Sequence, residues 1–195
     1  MSDLLEDEGV KRVHAALAQA KHPTDILILK DSARTAKDAA LAVGCDLGAI
    51  VKSLVFLVGD RFVLALVAGD QACAPENLGR ALGIQGAARL ASAGEARFAT
   101  GFAIGGVAPV GLARKLPCVL DRSLKRFQMV FAAAGHPHAV FPTTVDWLKT
   151  MTGAVVSYNI AVPLDAAAPP AAGGALGAKA RPPARERPEK PGAPG

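Results

Sequence analysis

Apolar residues in the first stretch of the chain recur at helical spacing. Val10, Val13 and Leu17 share one face across residues 4–20, with acids early and Lys11, Arg12 and Lys21 later, the order a helix dipole favours. Pro23 stops this helix, and the run 25–29 predicts a short strand. Thr35 and Asp38 have capping-box spacing ahead of a second helix that Gly44 ends, so the chain is delivered into the apolar run 51–58. That run and 62–68 flank Gly59-Asp60-Arg61, a hairpin signal. Both are nearly all apolar, which predicts a sheet covered on two faces.

The pattern continues with Pro75 opening a helix through Leu78 and Leu82 that Gly83 closes, then a strand over 88–90. Ser92 and Glu95 form another capping-box signature, for a helix ending near Gly101. Strands are predicted over 116–120 and 128–132, joined by a polar turn, and again over 139–141. Thr143 or Thr144 caps a helix with Trp147, Leu148 and Met151 that Gly153 stops, and 155–157 makes a closing strand. Strands and helices mix without strict alternation, which favours an α+β fold over a doubly wound sheet.

With 195 residues the chain is long enough for one domain with a sizeable core. Residues 1–162 are expected to form it. From residue 163 on, Ala, Pro and Gly dominate and large apolar residues nearly vanish, so 163–195 is expected to be a disordered tail. The net charge is +5, of which +2 lies from Asp165 onward, leaving a mildly basic body that permits nucleic-acid binding without demanding it. Cys45, Cys73 and Cys118 are odd in number and show no metal-ligand spacing, so they read as buried thiols in a reducing compartment. No run approaches the ~18 apolar residues of a membrane span, and the acidic N-terminus is unlike a signal peptide. The expectation is a cytoplasmic protein.

Two stretches carry candidate chemistry. Lys52 sits in the apolar run Ile-Val-Lys-Ser-Leu-Val-Phe and by alternation shares a face with Leu54, Phe56 and Val58. It is either a strand-end lysine reaching the rim or a lysine of a site. The second stretch, Gly105-Gly-Val-Ala-Pro-Val-Gly111, interleaves glycines with apolar residues, as in a half-buried shaped loop whose N–H groups are aimed at something.

These two stretches, followed by Leu-Pro-Cys-Val-Leu-Asp at 116–121, together resemble the YbaK/ProX family of aminoacyl-tRNA deacylases, which stand free or are inserted in prolyl-tRNA synthetases. The resemblance covers roughly residues 24–160. It implies a mixed, strongly curved, barrel-like sheet with surrounding helices, and a trans-editing hydrolase of the ester of a mischarged tRNA. The tRNA would be tRNA(Pro) carrying a small amino acid, with prolyl-tRNA synthetase a further partner and no metal or organic cofactor.

Lys52 matches the family's required lysine, and Gly105 to Pro109 match its Gly-x-x-x-Pro loop, so the resemblance assigns Lys52, Gly105 and Gly106 to catalysis. It assigns Val107, Ala108, Pro109, Ala133, Ala134, Gly135 and Asp121 to the substrate pocket. N–H donors fixed around a carbonyl stabilise a developing oxyanion by ~3 kcal/mol each. Asp121 reads on local grounds equally as an aspartate closing a strand. His136 and His138 form a general-base pair or are loop histidines flanking Pro137.

Arg114, Lys115, Arg122, Lys125 and Arg126 form a basic cluster near the glycine loop, either solvated surface or contacts for acceptor-stem phosphates. The family's Cys-tRNA deacylases have a serine at the start of the loop equivalent to Ala133-Ala134-Gly135, and a carboxylate near Val140. The small and apolar residues here point instead to clearing a small apolar amino acid by size exclusion. The rival readings are a non-catalytic tRNA-binding or synthetase-associated module and a hydrolase of small aminoacyl esters independent of tRNA.

Overall fold

The computed structural model describes residues 4–164; residues 1–3 and 165–195, most of the expected tail, lie outside the described residues. Helix α1 (Glu8–Gln19) starts at Asp7, whose carboxylate accepts the N–H of Gly9 at 2.8 Å, and buries Val10, Val13 and Leu17. Helix α2 (Ala36–Val43) and helix α4 (Ala93–Thr100) begin at the capping boxes of Thr35 with Asp38 and Ser92 with Glu95, and left-handed glycines, Gly44 and Gly101, end them. Helix α3 (Leu78–Leu82) follows a 3-10 turn over Pro75–Asn77, and α5 (Val145–Thr152) is capped by Thr144.

Ten strands complete the fold: β1 (Leu27–Ile28), β2 (Ile50–Val58), β3 (Arg61–Ala68), β4 (Gln71–Cys73), β5 (Ala88–Leu90), β6 (Cys118–Asp121), β7 (Val130–Ala133), β8 (Ala139–Thr143), β9 (Val155–Ser157) and β10 (Ala161–Pro163). The main sheet runs β1-β8-β7-β2-β3-β6-β9, with β5 pairing part of β2, and a small second sheet joins β10 to β4. Pairings of β2 with β7, β3 with β6 and β6 with β9 are parallel and the rest antiparallel, so the sheet is mixed. Its path has two ends, at β1 and β9, and among the described residues these do not pair, so the sheet is not closed into a barrel.

Strand β3 is apolar from Phe62 onward because it is buried on both faces from Val63 to Ala68. Leu64, Leu66 and Ala68 point into the main core with α1, α4 and α5, whereas Val63, Ala65 and Val67 point into a second core with Phe56, Val58, Leu78 and Ile160. Each large side chain shut away in this manner stabilises the fold by roughly 1.5–3 kcal/mol. A third, smaller cluster lies under α2, built from Ala39, Ala40, Ile50 and Val140. The β4–β10 pair was not predicted from the sequence, and Pro163, where the tail was expected to begin, pairs with Gln71. The polar turn after β6 is a 3-10 helix over Arg122–Arg126.

Candidate active site

Strand β2 is only partly covered on one edge, and the site begins there. Parallel partner β7 reaches Val51, antiparallel β5 starts at Phe56, and the N–H of Ala91 extends that side by one bond to the C=O of Val55 at 2.9 Å. Among the described residues, 52–54 therefore have β3 on one edge and no strand on the other. Main-chain groups of alternate residues point to the same edge of a strand. Since the C=O of Val55 points to the β5 side, the N–H and C=O of Ser53 point out through the gap.

A cavity of about 320 Å³ occupies this gap, at the lower end of the ~300–1,000 Å³ usual for small-molecule sites. Its walls are the start of α2 with the segment before it (Ala33, Arg34, Thr35, Ala36, Ala39), β2 from Ile50 to Val55, the start of α4 with Ala91, the turn Ile104-Gly105 with Val107, and the β7–β8 side with Ala133, His136, Pro137 and Val140. Most of these are small or aliphatic. The polar side chains are those of Arg34, Thr35, Lys52, Ser53 and His136.

Lys52, Gly105, Val107 and Ala133 thus line one cavity. The amine of Lys52 donates to the C=O of Gln71, and its stem follows the face of Leu54 and Phe56, the second-core side. Val107 and Ala108 pack with Val51 and Val55 in the main core, on the other face of β2. The lysine and the glycine turn border the cavity from opposite faces of one strand, and the Lys52 amine itself is held by Gln71, which is not among the cavity walls. Burial lowers the Lys52 pKa from the ordinary lysine value, and Asp70 and Cys73 partly oppose that shift. Burial likewise pushes the Cys73 thiol up to about 12.

Gly105 adopts φ +90°, a conformation that L side chains rarely adopt, and stands at the cavity rim between Arg34 and Pro137. Gly106 is behind it. Its N–H donates to Ala103 at 3.0 Å, and a Cβ there would lie 2.9 Å from the C=O of Gly135. Gly135 in turn abuts Gly9 of α1, where a Cβ would fall 2.7 Å from that same carbonyl. Three glycines thus let α1, the 134–138 loop and the 103–107 turn stack backbone on backbone, and Ala108 and Ala134 are sealed in the core behind them. Pro109 lines a different, more open cavity with Arg114, Lys115 and Leu116.

Asp121 is away from the cavity. It is buried at the end of β6, where it caps the 3-10 helix by accepting from the N–H of Ser123 at 3.2 Å and from the Ser123 hydroxyl. Burial raises its pKa above the usual aspartate value. His136 lines the cavity, with Nδ1 accepting the N–H of His138 at 3.2 Å, while the His138 ring reaches the C=O of Leu29 at 3.3 Å. Among the described residues no group of three or more His, Cys, Asp or Glu is arranged to hold a metal ion, and no helix is long and apolar enough to cross a membrane.

Residues 30–150 match the family model described as the aminoacyl-tRNA editing domain. The chain belongs to that family. Its relatives include the uncharacterized protein YwhH of Bacillus subtilis (strain 168), 36% identical over 137 residues, 70% of this chain and 86% of that protein. A candidate trans-editing enzyme for prolyl tRNA synthetase has a similar structure, with a TM-score of 0.72 at 41% identity, over 78% of this chain and 96% of that one. The hypothetical protein APE2540 gives 0.71 at 28%, over 77% and 99%.

In this editing domain the basic residues named from the sequence are spread over the surface, and several already have partners. Arg126 donates to both carboxylate oxygens of Asp70, at 2.8 and 2.9 Å, and to the C=O of Ser123. The Arg126 hydrogen bond is the main reason Asp70 titrates below the usual aspartate range. Arg122 stacks over Tyr158 at 4.5 Å and Arg114 over the exposed ring of Phe98 at 4.0 Å. Lys115 and Lys125 are exposed.

The sequence reading missed the α2 wall of the editing domain's cavity and Ser53. The Ser53 Oγ is the one buried side-chain polar atom without a hydrogen-bond partner among the described residues. Such an atom ordinarily costs ~1–3 kcal/mol. A lone hydroxyl residue in an otherwise apolar strand, next to a lysine, was the available signal.

Proposed function

We propose that the protein is a trans-acting deacylase that hydrolyses the ester of a mischarged aminoacyl-tRNA, the tRNA being tRNA(Pro) and the amino acid small and apolar. The observation that carries this reading is that Lys52 and the Gly105 turn share one small, mostly apolar cavity at an open strand edge. The small volume and mostly apolar walls of this cavity, among them Ala33, Ala36, Ala39 and Ala133, suit a small apolar side chain selected by size. The tRNA(Pro) assignment draws support from the 41% identity to a candidate trans-editing enzyme for prolyl tRNA synthetase.

In this mechanism a water oxygen attacks the ester carbonyl carbon, charge develops on the carbonyl oxygen, and the bond to the terminal ribose oxygen breaks. The water's proton ends on that ribose oxygen, leaving free amino acid and uncharged tRNA. The Lys52 ammonium, released from Gln71, holds the ester or a flanking phosphate, and main-chain N–H groups of the 105–107 turn face the developing oxyanion. Among the described residues the N–H groups of Gly105 and Val107 have no main-chain partner, whereas that of Gly106 is taken by Ala103. Gly106 therefore supports the turn.

The test is a panel of tRNAs charged with Ala, Cys, Ser and Pro, with ester loss followed over time. Loss confined to a small, wrong amino acid on tRNA(Pro) is the expected result. The engagement of the Lys52 amine by Gln71 favours a second reading, a non-catalytic tRNA-binding module. Salt-sensitive binding with no ester loss from any member would select that reading. Ester loss from a free aminoacyl ester at the same rate would remove the tRNA from the account.

A further inference from the structure

We infer that Ser53 is the receptor for the substrate's α-ammonium group. The inference rests on the aminoacyl-tRNA reading above and adds the polar half of the recognition. An α-ammonium entering a largely apolar cavity brings three N–H donors and a positive charge, so it needs acceptors. Of the polar side chains around the cavity, Lys52 and Arg34 have no acceptor and carry the wrong sign. Thr35 is committed to its helix cap, where its Oγ1 receives the N–H of Asp38 at 3.1 Å and donates to the Asp38 carboxylate at 2.7 Å. His136 uses Nδ1 for the N–H of His138.

Ser53 remains. Its Oγ is buried and has no partner among the described residues, and its C=O points from the same residue through the gap in the sheet. A turn about χ1 to a neighbouring staggered position is the motion that presents the hydroxyl to a bound group. Two acceptors on one rigid strand then meet the ammonium, while the Ser53 N–H at the same open edge faces the carbonyl side of the aminoacyl group. On this account an amino acid is distinguished from an acid of the same size that lacks the amine.

The experiment compares tRNA(Pro) carrying alanine with the same tRNA carrying propionate, in the full-length wild type, Ser53→Ala and Ser53→Thr. The wild type should cleave the alanyl ester well ahead of the propionyl ester. Loss of a hydrogen bond to a charged group predicts an about 10- to 100-fold fall in kcat/KM for Ser53→Ala on the alanyl ester. The propionyl rate should fall far less than the alanyl rate, and Ser53→Thr, which keeps the hydroxyl, should hold the alanyl-to-propionyl ratio above that of Ser53→Ala. Equal falls on both esters, a ratio unchanged by Ser53→Ala, or a wild type indifferent to the amine would overturn the assignment while leaving the deacylase reading intact. A wild type inert toward every charged tRNA would overturn that reading and the assignment together.

Discussion

Replacing Lys52 by methionine separates the chemistry of its ammonium from the packing of its stem. The stem lies along the second core beside Leu54 and Cys73, and methionine fills nearly the same volume, a change that usually costs under ~1.5 kcal/mol. Against the lost hydrogen bond to Gln71 stands relief from burying a charge, the same burial that lowers the Lys52 pKa. The two effects oppose each other, so stability should change by about 1 kcal/mol or less, which is ~2–4 °C in melting temperature for a domain of this size. Activity should change far more. A charged hydrogen bond that holds the ester or its flanking phosphate contributes roughly 1.5–3 kcal/mol, so single-turnover deacylation should slow by about 10- to 100-fold.

The pH dependence supplies an independent check on Lys52. The folded pKa lies below the unfolded value of 10.5, so between the two the unfolded chain binds more protons and stability rises with pH across that window. Lys52→Met should lack this rise. Activity runs the other way: after subtraction of uncatalysed hydrolysis, the wild-type rate should fall as pH climbs through the lowered lysine pKa. Any activity retained by Lys52→Arg should stay level over that range, because the guanidinium remains charged. A Lys52→Met protein with wild-type melting and wild-type deacylation would refute the assigned role.

Four other perturbations test the surrounding structure. Gly106→Ala would place a Cβ 2.9 Å from the C=O of Gly135 and 3.0 Å from the Cα of His136, both backbone atoms, so calorimetry should show a loss of ~1–3 kcal/mol. Gly94→Ala in α4, where a Cβ meets nothing within 4 Å among the described residues, should be neutral or slightly stabilising in the same measurement. Ala133→Val narrows the cavity, and kcat/KM for an alanyl ester should drop by at least ~10-fold with the melting temperature little changed; equal activity would place the amino acid elsewhere. Asp70→Asn removes a half-exposed ion pair of ~0.2–1 kcal/mol and releases Arg126, so tRNA affinity should rise and its salt dependence steepen by about one phosphate contact. The Asp70 contribution to stability is present above the usual aspartate pKa of 3.8 and lost as pH falls through its lowered value.

What the sequence determined by itself is local. Thr35 with Asp38 and Ser92 with Glu95 start their helices through contacts three residues apart, and Gly44, Gly101 and Gly153 end theirs, so these boundaries were legible. Two-residue periodicity placed Lys52 on the face of Leu54 and Phe56, and the unbroken apolar run of β3 announced burial on both sides. The resemblance carried by three ordered blocks reached the family. Only the tertiary structure decided which of those residues share a cavity, because that depends on groups far apart in sequence. The gap beside Ser53 exists because β7 stops pairing at Val51 and β5 begins at Phe56, and neither limit is written in β2. Asp121 and Arg126 are both charged residues of one short polar stretch, yet the first is buried capping a helix and the second is bound to Asp70 at the surface. Backbones distant in sequence press on Gly106 and Gly135, the 134–138 loop on the first and α1 on the second, a constraint that arises only once these segments have packed together.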